Sequence, residues 1–454
     1  MKPVPSLWPE GLLLTYYGDD FTGSTDVMEA FTAAGVPTVL FLEMPRDGDL
    51  ARFKGVRCIG LAGQSRGKSP EWMRQELPVL FQRLKELGAP LLQYKVCSTF
   101  DSSPTVGSIG QAIDVGLQNF QSTWSPMVVG APRLKRFQVF GHLFAADNGV
   151  VHRIDRHPTM SRHPVTPMLE ADLRAHLAKQ TPRRIALIDL AQIAEGQGQA
   201  QLDSSQGQDQ PVIMIDIADD RSQVEAGRLI WQNRGEGLFT ASSSGLQYAL
   251  TAFWRSEGQI PATPVLPVAT SAPCIAIVSG SCSPMSGEQI QWARNHGFVT
   301  SRLDISSCLD LTRQQAEVTR LVDIAVTAIE QGASPLVFSA EGPDDPAVHS
   351  FDALATSANL SRSDASELVG YALAEIMRQV LDQTRIGRIV VAGGDSSGRV
   401  GGHLGLRALT VSAGLVPGVP LCRAWSDDPL RDGLEVVFKG GQLGSADFYG
   451  LVRG

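Results

Sequence analysis

Short apolar runs alternate with helical patterns along almost the whole chain, and this alternation most narrowly limits the fold. In the first half "LLLTYY", "PTVLFLE", "VRCIGLAG", "PLLQYKV", "MVVGAP", "RRIALIDL" and "PVIMIDI" read as strands. Helical stretches such as "SPEWMRQELPVLFQRLKELG" lie between several of them. That order is the signature of α/β architecture with mainly parallel sheets. Prolines 261, 264, 267 and 273 in "SEGQIPATPVLPVATSAPC" exclude a regular helix there and mark a domain boundary. Beyond it the pattern restarts with "CIAIVSGSCS", "SPLVFSAEG", "RIVVAGGD" and "GLEVVFKGG". We therefore expect two domains, residues 1–255 and 274–454, joined by a Pro-rich linker at 256–273. Each is expected on a mainly parallel sheet flanked by helices. The polar insert "AEGQGQAQLDSSQGQDQ" reads as a long exposed loop, and no internal repeat stands out.

Composition narrows the partners. A length of 454 residues exceeds one typical domain, and 43% hydrophobic content supplies ample core. A net charge of −8 argues against nucleic acid held through its phosphates. Any anionic ligand must then be met by a local cluster of positive groups. No apolar run reaches membrane-span length, and the opening "MKPVPSLWPEG" has no signal-peptide core. Six cysteines without C-x-x-C pairs read as reduced thiols, so a cytoplasmic location is expected.

The first chemical feature is "YYGDDFTGSTD". Adjacent Asp19 and Asp20 stand where a strand opens into a helix, the place where open α/β sheets bind ligands. One capping residue would suffice for the helix, and Thr22, Ser24 or Thr25 could serve. Two neighbouring carboxylates repel unless a metal, a lysine or an arginine sits between them. Further on, "QYKVCSTFDSSP" gathers Lys95, Ser98, Thr99 and Asp101, donors and acceptors suited to a polyhydroxylated ligand. "VVHRIDRHPTMSRHP" adds Arg153 and Arg156, guanidinium groups able to clamp a carboxylate or phosphate. Its histidines match no zinc spacing, and the metal ligands, if any, are not legible.

Three glycine-rich turns follow strands in the second half: "SGSCS" with Ser281, "VVAGGDSSG" with Gly393, Gly394, Asp395 and Ser396, and "KGGQLGS" with Gly440. Small residues at strand ends let backbone N–H groups approach an anion, and a following helix adds its positive end. Three such turns in one domain point to nucleotide phosphates. The competing candidate, "AGQSRGKS", fits a relaxed P-loop pattern, but Pro70 comes next. Ser69 is then better read as a helix cap with Pro70 in the first helical position, which leaves Lys68 outside the helix.

Together "DDFTGSTD", "YKVCSTFDSSPTVGSIG", "HRIDRHPTMSRHPVTPM", "SGSCSP", "VVAGGDSSG" and "KGGQLGSADFY" resemble the four-carbon acid sugar kinase family, in order and over nearly the whole chain. The "KVCSTFDS" form is similar to the 3-oxo-tetronate 4-kinase branch. The chain reads "GGQLG" where Gly-Asn-Phe-Gly is common in the family. The resemblance implies an N-terminal domain that binds the acid sugar and a C-terminal domain that binds ATP, facing each other across a cleft. It also implies transfer of the γ-phosphoryl group to the 4-hydroxyl.

Phosphoryl transfer needs alignment, charge neutralisation and a group to take the alcohol proton. On this reading Asp20 accepts or orients the hydroxyl, with Asp101 as the alternative base. Asp19, Lys95, Ser98 and Thr99 hold the sugar's polar groups, and Arg153 or Arg156 its carboxylate. Ser281, Gly393 to Ser396 and Gly440 cradle the phosphates of ATP, with Mg²⁺ bridging them. The expected partners are a small acid sugar and ATP, without nucleic acid or membrane, and a homodimer is compatible with this. Erythronate, threonate or a branched 3-oxo acid such as 3-oxo-isoapionate are alternative substrates, and a non-catalytic acid-sugar and ATP sensor is the rival reading. An aspartyl phosphatase wants D-x-D, which adjacent Asp19 and Asp20 do not form.

Overall fold

The structure, a computed structural model, describes residues 10–147, 149–163, 165–263 and 266–454. The chain divides into two compact units, Met1–Val265 and Leu266–Gly454.

In the first unit, five parallel strands form the main sheet: β1 (Leu14–Gly18), β2 (Thr38–Phe41), β3 (Cys58–Ala62), β4 (Leu91–Lys95) and β5 (Leu238–Ser242). Their spatial order is β5-β4-β1-β3-β2. Every residue of β1, β2, β4 and β5 is buried, as a parallel sheet covered on both faces requires. The chain runs from β1 to the edge at β2, returns to β3, and then crosses to the other side of β1. The carboxyl end of β1 is thus the topological switch point, where ligands bind in sheets of this kind.

Helix α1 (Phe21–Ala33) leaves that point at once and buries Val27, Met28 and Phe31. Helix α2 (Pro70–Glu86) begins on a Ser69 cap with Pro70 in its first turn, so the "AGQSRGKS" stretch ends as a cap and not as a P-loop. Tyr17 and Tyr94 stack with ring centroids 6.0 Å apart, and Phe81 of α2 meets both edge-on.

Six of the seven strand expectations of the first half hold, while "MVVGAP" is displaced: the strand there is Ser125–Met127 and shares only Met127 with it. That strand forms a separate parallel sheet with Val212–Ile215 and Ile185–Ile188. Two further features depart from the sequence reading. The polar insert contains a helix, Gly198–Ser205, because a single apolar residue, Leu202, is buried as its anchor. An antiparallel three-stranded sheet spans Arg136–Val139, His142–Asp147 and Val150–Arg153, where only an arginine- and histidine-rich stretch was noted.

The second unit contains β6 (Ala276–Ser279), β7 (Phe298–Arg302), β8 (Ser334–Phe338), β9 (Arg388–Ala392), β10 (Leu406–Val416), β11 (Val419–Ser426) and β12 (Glu435–Lys439). The order is β10-β11-β12-β9-β6-β8-β7, parallel from β12 to β7, with β10 and β11 forming an antiparallel hairpin beside β12. The route from β6 to the edge at β7, back to β8, and over to β9 repeats that of the first unit. Its switch point is the end of β6. Ile277, Leu336, Phe338, Val390, Val437 and Phe448 sit in its core. Helices α3 (Pro284–Asn295) and α4 (Gly394–His403) start just past β6 and β9.

Candidate functional site

At the end of β1 the cation that two adjacent carboxylates need is an arginine. Arg66 Nε and Nη2 donate to the two oxygens of Asp19 at 3.1 and 2.7 Å, and Nη2 also donates to Asp20 Oδ1 at 2.8 Å. The short turn after β3 that carries Arg66 is pinned on several sides. Arg66 N–H donates to the Asp19 carbonyl at 3.0 Å, Ser65 Oγ meets the Tyr94 hydroxyl at 2.9 Å, and Gln64 N–H reaches the Tyr17 hydroxyl at 3.4 Å. A fork held this way presents both nitrogens to a carboxylate at fixed geometry. Burial pushes the Asp19 carboxyl up to about 6 against the pull of Arg66.

Asp20 also caps α1: its Oδ1 accepts Gly23 N–H at 2.9 Å and its Oδ2 accepts the Thr22 hydroxyl at 2.8 Å. A side chain at Gly23 would displace the site's polar groups, because a Cβ there would lie 2.4 Å from Asp20 Oδ1 and 2.9 Å from Lys95 Nζ. Lys95, the last residue of β4, is buried at the neighbouring strand end, 3.9 Å from Asp26 of α1. Asp19 N–H donates to the Lys95 carbonyl at 3.0 Å, which ties the two strand ends together.

The loop after β4 completes the cluster. Thr99 Oγ1 donates to Asp101 Oδ1 at 2.5 Å, and both residues are buried. Burial alone would raise Asp101, but Arg66 and the Thr99 hydroxyl outweigh it and hold the carboxyl below its usual range. Burial lifts the Cys97 thiol to about 11, so it stays protonated beside them. Ser98 is half-buried between Cys97 and Thr99. Phe100 takes a left-handed backbone, φ 59°, as the chain turns here.

Of the residues expected at the sugar site, the structure therefore brings together Asp19, Asp20, Lys95, Thr99 and Asp101. Arg153 turns its guanidinium onto Asp155 at 2.7 and 2.6 Å, and Arg156 is exposed in the following turn. Among the described residues neither hydrogen-bonds to or ion-pairs with the Asp19 cluster. Arg66 and Asp26 were missed in the sequence. Arg66 was legible in principle: it follows the strand beside β1 in a parallel sheet, so its side chain emerges at the same edge as the two carboxylates.

In the second unit the three glycine-rich turns lie against one another at the ends of β6, β9 and β12. A Cβ on Gly280 would fall 2.1 Å from Ser396 Oγ, and one on Gly441 would fall 2.1 Å from Ser281 Oγ. Gly280 N–H donates to the Ala392 carbonyl and Gly393 N–H to that of Lys439, both at 2.9 Å. Gly393 has φ 118°, a conformation that side chains rarely adopt, and it releases the chain into α4. Gly394 opens that helix, Ser396 is buried in its first turn, and the side chain of Asp395 lies outside the described residues. Gly440 is half-buried in the turn after β12. Beside Gly280 and Ser396 opens a pocket lined on its apolar side by Val348, Phe351 and Leu373, with Arg362 at its wall.

Among the described residues no group of three or more His, Cys, Asp or Glu is arranged to hold a metal ion, and no helix is long and apolar enough to cross a membrane. All six cysteines are free thiols.

Comparison with known proteins matches this division. Residues 14–250 match the model of a sugar-binding N-terminal domain, and residues 276–449 that of a nucleotide-binding C-terminal domain. The chain is 61% identical over 446 residues to a 3-oxo-isoapionate kinase from Paraburkholderia graminis, covering 98% of this chain and 95% of that protein. It is 28% identical over 442 residues to a 3-oxo-tetronate kinase from Pseudomonas fluorescens, covering 97% and 96% of the two chains. A solved structure of a Haemophilus influenzae protein superposes with a TM-score of 0.69 at 21% identity over 97% of this chain and 99% of that one, a likeness of fold. The chain belongs to the four-carbon acid sugar kinase family.

Proposed function

We propose that the protein is an ATP-dependent kinase that phosphorylates the 4-hydroxyl of 3-oxo-isoapionate, a branched 3-oxo acid. The observation that carries this choice is the 61% identity, over nearly all of both chains, to a 3-oxo-isoapionate kinase, against 28% to a 3-oxo-tetronate kinase. The "KVCSTFDS" motif alone favoured 3-oxo-tetronate, and that acid is the second substrate to test.

On this reading the Asp19–Arg66–Lys95 cluster receives the acid sugar. Asp20 Oδ2 has one donor, Thr22, and keeps a lone pair with which to accept the 4-hydroxyl. Asp20 then orients that hydroxyl and takes its proton as the oxygen attacks the γ-phosphorus. Asp101, held ionised by Arg66 and Thr99, is the alternative base. Asp19 is engaged by both nitrogens of the Arg66 fork, which suits it to holding Arg66 in place. Lys95, Ser98 and Thr99 meet the remaining oxygens of the substrate. Arg153, paired with Asp155, and the exposed Arg156 are the remaining candidates for the substrate carboxylate.

The converging turns at Ser281, Gly393 to Ser396 and Gly440 hold the phosphates of ATP, and the adjoining apolar pocket with Phe351 takes its base. A hard cation such as Mg²⁺ prefers oxygen ligands and keeps several waters. With no three-ligand cluster among the described residues, Mg²⁺ fits here as the counter-ion of the nucleotide phosphates. Its contribution when bound is to neutralise the charge on those phosphates. A small-metabolite kinase of this kind works in the cytoplasm, where ATP is supplied.

The test is ADP release from ATP and Mg²⁺ with 3-oxo-isoapionate, both 3-oxo-tetronates, erythronate and threonate. We expect the highest kcat/KM with 3-oxo-isoapionate. A preference for a 3-oxo-tetronate would move the substrate, and no ADP release with any acid while ATP still binds would replace the kinase with a sensor.

A further inference from the structure

Among the described residues Lys439 is a charge without a counter-charge. It ends β12, its side chain has no exposed surface, and it makes no ion pair with any described carboxylate. Its one hydrogen bond is a 3.5 Å contact from Nζ to the Gly441 carbonyl, at the limit of such bonds. That carbonyl is already taken by Ser283 Oγ at 2.7 Å and Ser286 Oγ at 3.2 Å, so it offers the ammonium little. The Phe448 ring, 5.7 Å away, adds a weak cation–π contact. An ammonium removed from water with so little in return is costly unless an anion joins it.

Its position says where that anion sits. The Lys439 carbonyl accepts Gly393 N–H, and the carbonyl that its ammonium touches is the one gripped by the N-cap of α3. Lys439 therefore lies between the first turns of α3 and α4, two helix N-termini that favour negative charge. We propose that the Lys439 ammonium is the phosphate-binding cation of the nucleotide site, pairing with the phosphates beyond the α-phosphate. This rests on the nucleotide reading of the second unit and adds to it the group that supplies positive charge to turns otherwise built of glycine and serine.

A second consequence follows from the same burial. It lowers the Lys439 ammonium to about 8 in the free protein, and an anion beside it would raise that value again. Nucleotide binding then takes up a proton above pH 8, and affinity falls as the pH rises from there.

The experiment measures ADP and AMP binding by calorimetry, and thermal unfolding with and without ADP, for the full chain and for Lys439→Met. The intact protein must first bind ADP. If it does not, the nucleotide reading fails and this proposal falls with it. Given that binding, Lys439→Met should weaken ADP about 10- to 100-fold, the weight of a charge-assisted bond, while changing AMP far less. The free variant should melt no lower than the parent, since an uncompensated buried charge has been removed. Equal weakening of ADP and AMP, or a lower melting point with ADP affinity unchanged, would make Lys439 a structural residue and overturn the proposal. Should the variant fail to fold, the intact protein decides: ADP affinity must fall between pH 8 and 9.5, and a flat profile contradicts the assignment.

Discussion

The two units lay their five parallel strands in the same order and place their polar residues at the same topological position, yet they fill it with opposite chemistry. At the end of β1 the first unit concentrates full charges: Asp19, Asp20, Arg66, Lys95 and, nearby, Asp101. At the end of β6 the second unit offers hydroxyls and bare backbone, Ser281, Gly393 and Ser396, with Lys439 as the buried cation beside them. The difference follows from what each would hold. An acid sugar presents a carboxylate, a ketone and hydroxyls on a small frame, so specificity needs directed partners of both signs. A polyphosphate presents many equivalent anionic oxygens, and closely approaching N–H groups serve it without side chains in the way.

Substitutions in one unit should therefore leave the other ligand's binding alone. The largest effect is expected from Asp20→Asn, which would remove the proposed base: kcat should fall about 100- to 10,000-fold while ADP affinity is kept. If Asp101→Asn abolishes turnover and Asp20→Asn does not, the base is Asp101. Next comes Arg66→Met, which strands two carboxylates. Because the arginine is partly exposed, we expect a stability loss of about 2–3 kcal/mol in denaturant unfolding, below the range for fully buried pairs. Loss of turnover should accompany it.

Gly393→Ala sharpens the other side. Forcing a side chain into φ 118° should cost about 1–3 kcal/mol and weaken ADP binding, with acid-sugar binding unchanged. The smallest effect is on pH. With its carboxyl near 6, Asp19 holds Arg66 fully only above that value. At saturating MgATP, kcat/KM for the acid should decline below about pH 6, and Asp19→Asn should flatten this limb. The contribution of Asp19 to stability runs the opposite way. Because burial raises the folded carboxyl above its ordinary 3.8, this contribution is greatest below 3.8 and is lost as the pH rises through about 6.

Much of this was legible in the sequence. Uninterrupted buried runs such as "LLLTYY" and "RIVVAGGD" announce strands of a two-sided sheet, and the Ser69-Pro70 pair announces a helix start. The hairpin of β10 and β11 was not read, because its strands mix buried and half-exposed positions without clean alternation and the turn at Val416–Val419 gives little signal. In the site, the need for a cation between Asp19 and Asp20 was clear from charge alone. Which cation was not, since Arg66 lies 46 residues from Asp20 and only the pairing of β1 with β3 brings them together. Arg153 shows the converse: a plausible clamp in sequence is satisfied locally by Asp155. Lys439 hid inside a glycine-rich motif because exposure, not residue type, is what marks it.

The central claim is that two units of one topology divide two ligands between them. Hydrogen exchange of the full chain with 3-oxo-isoapionate alone and with a non-hydrolysable ATP analogue alone tests it most directly. The account predicts that the acid slows exchange at residues 18–24, 64–67 and 95–102, and that the nucleotide slows it at 279–284, 393–397 and 439–443. Protection of the first unit's segments by the nucleotide, or of the second unit's by the acid, would contradict it.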